Sequence, residues 1–245
     1  SDTAADNQYW FGKYDQGFNE NDNNHIFEIG VTMSGVYKNE KERKVYFEVD
    51  ESLLAGITNV GVLPASYYTI ETQSPVIIPS GSTKGKITIQ LTEAFFNDPL
   101  SLAPQNSVNY VVPLVITDVV DLDTILQGKP ADGVANPMKT NLDDWAIQPK
   151  DFTLFGIKFI NKYHGYYLRR GTDVLNTFNA VTGTYEYAAT TSYHQKYVEK
   201  DEVVMVTSTS LHGVVLSNMI RRGNMASPGN IQLLLTFDGN ENCTV

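Results

Sequence analysis

Cysteine is nearly absent: Cys243 stands alone in 245 residues, so neither an intramolecular disulfide nor a thiolate metal site of the CxxC kind can form. Basic side chains are scarce too, 18 Lys and Arg against 28 Asp and Glu, for a net charge of −10 and a pI near 4.8. That balance argues against nucleic acid, whose phosphates require a clustered basic surface, and against direct contact with an anionic membrane surface. No apolar run approaches the roughly 18 residues of a membrane span, and no signal-peptide pattern is present. His25, His164, His194 and His212 lack HExxH spacing, and no nucleophile elbow occurs. Neither Asp118, Asp121 and Asp123 nor the oxygen-rich stretch 15–24 follows the calcium-loop pattern, which needs a central Gly and a closing Glu. Catalytic residues, metal ligands and cofactors are therefore not expected.

What the chain does contain is strand pattern. Ile87, Ile89 and Leu91 alternate with Lys86, Thr88 and Gln90, which puts one apolar face on a core and one polar face in water. Phe27, Ile29, Val31 and Met33 share a face, as do Val45, Phe47 and Val49. Pro79-Ser80-Gly81-Ser82 carries turn chemistry, with Gly81 free to take positive φ. Asp50 reads as the N-cap of a short helical turn that stops at Gly56, and a second turn is expected between Leu91 and Pro99. Tyr110–Thr117 is a further strand in which Pro113 demands an edge or a bulge. From Asp118 to Asp144 the periodicity fades into a long loop.

The second half resumes with strands at 152–161, 163–170, 184–188, 202–207 and 231–237, an antiparallel meander expected to form a barrel or sandwich. Asp238–Asn242 reads as a hairpin turn, and Cys243–Val245 as a returning strand that continues in a longer natural chain. Residues 1–149 hold 9 basic and 20 acidic side chains, a net of −11, whereas 150–245 hold 9 and 8, a net of +1. Such a split suggests two domains with different partners. The expected organisation is a polar tether over 1–24 with an aromatic knot at Tyr9-Trp10-Phe11, a first domain over 25–144 and a second over 145–245. Trp145, at that junction, is expected to seal the domain interface. The small polar opening Ser1–Asp6 is of the sort left after removal of a leader.

Particular motifs in both halves resemble a family of secreted Bacteroidetes surface lipoproteins associated with glycan-utilisation genes. In the first half these are Leu63-Pro-Ala-Ser-Tyr-Tyr68, Ile78-Pro-Ser-Gly81 and Tyr110–Ile116. In the second they are Trp145–Pro149, Lys158–Gly165 and Tyr167–Gly171. The resemblance implies an all-β chain, an N-terminal immunoglobulin-like β-sandwich followed by a lipocalin-like β-barrel. It also implies an outer-membrane lipoprotein, anchored through a lipidated Cys before Ser1. The related N-terminal domain also occurs fused to glycosidases, so that module does not by itself separate binder from enzyme.

Glycan binding needs aromatic faces for sugar C–H surfaces and a few planar polar groups for hydroxyls. Tyr163, His164, Tyr166, Tyr167, Arg169 and Arg170 offer both. Strand alternation allows only one subset of them to line a site; otherwise they cover a rim with wet polar tips. Tyr193, His194 and Tyr197 repeat the composition. A glycosidase would need two carboxylates flanking a cleft, and the adjacent pairs Asp143/Asp144 and Asp201/Glu202 point to opposite faces. The leading expectation is a non-catalytic surface lipoprotein that binds or presents a glycan to a neighbouring transporter or hydrolase. The alternative is a structural or protein-interaction module docking through the acidic first domain, and a glycoside hydrolase comes third.

Overall fold

The computed structural model describes residues 20–102, 107–220 and 229–245, which are almost entirely strands and their connections. The chain divides into two units, Ser1–Phe159 and Ile160–Val245. Most of the expected tether, with its aromatic knot, lies outside the described residues; only a short helix α1 (Glu20–Asn23) enters.

Among the described residues, ten strands build the first unit: β1 (Ile26–Thr32), β2 (Arg43–Val49), β3 (Gly61–Val62), β4 (Tyr68–Ile70), β5 (Val76–Ile78), β6 (Lys84–Leu91), β7 (Tyr110–Val120), β8 (Lys129–Pro130), β9 (Trp145–Ile147) and β10 (Phe152–Ile157). One sheet runs β1-β6-β4 and another β10-β7-β2-β5, with β3 beside β7. The alternation read from sequence supplies the inner faces of this sandwich. Ile29, Val31, Ile87, Ile89 and Leu91 are buried from the first sheet, and Val45, Phe47, Val76, Ile78, Val112 and Leu114 from the second. Phe95 and Phe96, on helix α2 (Glu93–Asn97), pack edge-on to each other and against Phe159.

Strand β7 loses its alternation because both its faces are covered. Val111 and Val115 turn outward onto Leu53, Val60 and Leu154, a second apolar cluster formed where the segment after β2 folds over the sheet. That segment begins with a 3-10 turn, Glu51–Leu54, whose Asp50 cap accepts the Ser52 amide. Pro113 is a correction to expectation, since it is buried mid-strand with β2 and β10 on either side. On the β2 edge, the carbonyls of Asn109 and Val111 accept from Gly61 and Leu63, and that of Pro113 accepts from Asp50. A residue's N–H and C=O point to the same side of a strand, so the missing donor falls where β3 hands over to β2, and no ladder bond is lost.

Two glycines matter here. Gly81 takes φ +84 in the Pro79–Ser82 turn, whose carbonyls at Pro79 and Ser82 receive the buried Asn39 amide. Gly85 lies so near β5 that a Cβ would sit 2.8 Å from the Ile77 carbonyl oxygen.

The loop expected over 118–144 is partly ordered structure. β7 runs on to Val120, and β8 pairs with β9. Trp145 lies inside the first unit and donates its indole N–H to the Met138 carbonyl at 2.8 Å. Strand β10 pairs with β7 from Phe152↔Val115 to Ile157↔Tyr110. The sheet of the first unit thus claims residues that the charge split assigned to the second, and the units part at 159/160.

The second unit holds β11 (Gly165–Arg169), β12 (Thr172–Asn179), β13 (Thr184–Ser192), β14 (Glu202–Ser208), β15 (Gly213–Ile220), β16 (Gly229–Phe237) and β17 (Cys243–Thr244). Strands β11-β14-β15-β16-β17 form an antiparallel row, and β12–β13 is a separate hairpin. Consecutive pairing from β14 to β17 is the expected meander, including the returning strand at Cys243. Among the described pairings none joins β11 to β17 into a ring. Strands β12 and β15 are additions to the sequence reading. The first carries polar residues on both faces, and the second contains the unalternating run Val214-Val215-Leu216, so neither has a period of two.

Candidate functional site

The six residues proposed from sequence do not converge. Tyr163 lies flat on Phe237, with ring centroids 3.6 Å apart and planes 12° off parallel. Its hydroxyl donates to Glu241 Oε2 at 3.2 Å, and Lys162 pairs with the same carboxylate. That salt bridge lowers the Glu241 pKa and raises that of Lys162. Tyr163 thus pins the β16–β17 turn to the chain entering β11. Nδ1 of His164 accepts the Ser208 amide at 3.1 Å, which leaves the proton of the neutral ring on Nε2.

At the other end of β11, the Arg169 guanidinium stacks 3.5 Å from the ring centroid of buried Tyr193 and pairs with Glu202 at 3.5 Å. Arg170 Nε lies 3.0 Å from Oδ2 of the buried Asp201. That approach lacks hydrogen-bond geometry, since Oδ2 has no hydrogen-bond partner, so the contact is an ion pair only. These groups are occupied in holding the unit together. Two of the acids considered for glycosidase chemistry, Asp201 and Glu202, are among their partners. Tyr166 and Tyr167 keep open surface, at 72% and 45% exposure, although Tyr167 donates its hydroxyl to the Tyr163 carbonyl.

Among the described residues, the richest exposed aromatic surface lies on the β12–β13 hairpin. Its turn is built by Asn179, whose Oδ1 accepts the amides of Val181 and Thr182, and by Gly183 at φ +71, the conformation that glycine adopts most cheaply. Cross-strand partners share a face, so the pairs Phe178↔Tyr185, Asn176↔Tyr187 and Val174↔Thr190 all project to one side. A bulge after Leu175 absorbs Ala188 and keeps Thr190 on that side, where its Oγ1 lies 3.2 Å from the Tyr187 hydroxyl. Phe178 and Tyr185 meet at 5.3 Å and 61°.

All six of these side chains are exposed, Tyr185 and Tyr187 by 74% and 67%, and none carries charge. The opposite face is unlike it. Glu186 is bonded there to Asn179 and Thr182, and Asp173, Leu175, Ala189 and Thr191 are half-buried. Only 184–188 of this hairpin is legible as strand in the sequence. The face becomes visible once β12 is paired with it.

Other features are further from a binding surface. A concavity of about 370 Å³ in the first unit is lined by Lys139, Leu142, Gln148, Pro149, Phe152 and Leu154, among others. Beside it Lys139 pairs with the buried Asp151. Asp121 pairs with Lys41 and Asp118 caps Val119. Among the described residues no three His, Cys, Asp or Glu side chains gather in metal-binding proximity.

A family model described as an N-terminal domain matches residues 5–123, and DUF5627, a domain of unknown function, matches residues 162–245. No curated protein matches the chain. Among solved structures, an auxiliary nutrient binding protein from Bacteroides thetaiotaomicron is 15% identical, with 87% of this chain and 59% of that one covered, at a TM-score of 0.38. A multidomain protein including DUF1735 from Bacteroides ovatus is 14% identical, with coverage of 89% and 61% and a TM-score of 0.40. Likeness that slight says nothing about function. A Bacteroides ovatus protein of unknown function is far nearer: 33% identical, covering 96% of this chain and 73% of its own, at a TM-score of 0.78. With a third of its residues shared over almost its whole length, the chain belongs to the family of that Bacteroides ovatus protein.

Proposed function

We propose that this is a non-catalytic, surface-anchored lipoprotein that binds a glycan and presents it to a neighbouring transporter or hydrolase. One observation carries the reading: an exposed hairpin face that sets three aromatic rings among an amide and hydroxyls, with no charge. Rings of that kind stack on sugar C–H surfaces, and planar polar groups take up the hydroxyls. Tyr166 and Tyr167 on β11 add aromatic surface in the same unit. Surface anchoring is supported by the motif resemblance at Leu63–Tyr68, Lys158–Gly165 and Tyr167–Gly171. The test is a glycan array probed with the purified chain. Binding to at least one glycan class is expected, and silence across the array from a folded protein would overturn the reading.

A second reading has its own observation. The first unit carries 11 basic and 21 acidic side chains, a net of −10, against 7 and 7 in the second. Docking of a basic partner by the first unit would weaken steeply with salt. A salt-sensitive pull-down from the surface fraction, with no glycan bound, would favour it.

A further inference from the structure

Resting on the glycan-binding reading, we infer that the β12–β13 face takes a neutral oligosaccharide lying along the hairpin, and that it discriminates against acidic glycans. The face consists of Val174, Asn176, Phe178, Tyr185, Tyr187 and Thr190, arranged as three cross-strand pairs. Sites for uronates or sulfated sugars need a cation facing the anion, usually an Arg fork, and this face has none. The carboxylate of Glu186 lies on the opposite face, held by Asn179 and Thr182. Elsewhere among the described residues of the unit, Arg169 packs on Tyr193 and pairs with Glu202, and the half-exposed Arg170 pairs with Asp201.

The extent of the face also selects its ligand. From Val174 to Phe178 a strand advances about 13 Å at roughly 3.3 Å per residue, longer than a single sugar ring. The tilted Phe178–Tyr185 pair at the tip offers a ring face to one sugar. Tyr187, two residues nearer the base, offers another, and the Asn176 amide and the Tyr187–Thr190 hydroxyl pair lie beside it. An extended chain of several sugars can engage all of these, whereas a monosaccharide reaches only one ring. A wet, uncharged contact of this type also has no counterions to release.

The experiment is titration of the whole chain with neutral hexasaccharides of glucose, xylose and mannose, with the matching monosaccharides, and with a hexasaccharide of galacturonic acid. One neutral hexasaccharide is expected to bind at least tenfold tighter than its monosaccharide and than the galacturonate. Its affinity is expected to change less than twofold between 50 and 500 mM NaCl, roughly as for any contact that displaces no ions. Phe178→Ala, Tyr185→Ala and Tyr187→Ala should each cost about tenfold in affinity, and Glu186→Gln should leave it unchanged. Circular dichroism and thermal melting would verify that each variant is folded. Unchanged neutral-glycan binding in the triple alanine variant, or preference for galacturonate, would overturn this inference while leaving glycan binding in place. Failure of the native chain to bind any probe, on a folded sample that is also silent on the array, would overturn both.

Discussion

The two units place their apolar surface in opposite ways. Of 22 buried hydrophobic side chains among the described residues, 19 belong to the first unit and three, Tyr193, Val206 and Val214, to the second. The first unit sandwiches two sheets and then covers the outer face of β7 with a further cluster. The second turns Tyr166, Leu168, Val174, Phe178, Tyr185, Tyr187 and Val203 to the outside. It is held together largely by polar and aromatic clasps: Asn161 on the Ser210 and Gly213 carbonyls, Tyr163 on Phe237, and Arg169 on Tyr193. A unit with few buried apolar side chains among its described residues is expected to be the less stable of the two, and its exposed rings are the ones open to the proposed ligand. If the proposed glycan site holds, buried core and ligand surface are divided between the units.

The largest effect is expected in the core of the first unit. Phe95→Ala removes a side chain with no exposed surface and should cost about 3–5 kcal/mol, read as a lower denaturant midpoint for that unit while the second unit's transition stays in place. A concerted shift of one common transition would break the comparison. Next comes Lys139→Met, which strands the buried Asp151 carboxylate. Removing one partner of a buried pair costs roughly 3–5 kcal/mol, and the lower end applies because Lys139 is itself partly exposed.

In the second unit, Asn161→Ala removes the side-chain donor from the Ser210 carbonyl and from the Gly213 carbonyl, which keeps the Thr209 amide, and removes the acceptor of the Tyr163 amide. A loss of about 1–3 kcal/mol is expected, enough to lower this unit's thermal transition well below that of the first. An unchanged transition would show that the polar clasp is not what holds the unit.

pH tests the first unit separately, through a carboxylate shared by two phenols. Asp98 Oδ2 accepts from the hydroxyls of Tyr110 at 2.6 Å and Tyr67 at 3.0 Å. The Tyr110 bond is the main cause that holds the Asp98 pKa below its usual value, and the same bond pushes Tyr110 up to about 12. The depressed carboxylate contributes stability in full above the unfolded value of about 3.9, and loses it as pH falls through the lower folded one. The raised phenol contributes below its unfolded value of about 10, and loses that as pH rises through about 12. Thermal melts across pH should therefore show Asp98→Asn flattening the first unit's decline at both extremes. Smallest of all, alanine at Phe178, Tyr185 or Tyr187 should shift stability by no more than about 0.5 kcal/mol, measured by thermal melting, since these rings are already in water.

By itself the sequence determined the strand class, the inner faces of the first sandwich and the capped turns at Asp50 and Gly81, because each follows from local alternation or local backbone preference. It also pointed to the second half as the tyrosine-rich one. Tertiary structure alone decided the rest. Pro113 is tolerated mid-sheet because two other strands meet opposite it, and β10 joins the first unit because β7 offers it an edge. Tyr163 has the same ring as Tyr185 and Tyr187, yet Phe237 covers the first while the other two stay open. Which aromatic remains free for a ligand depends on what packs against it from elsewhere in the chain, and spacing along one strand carries no record of that.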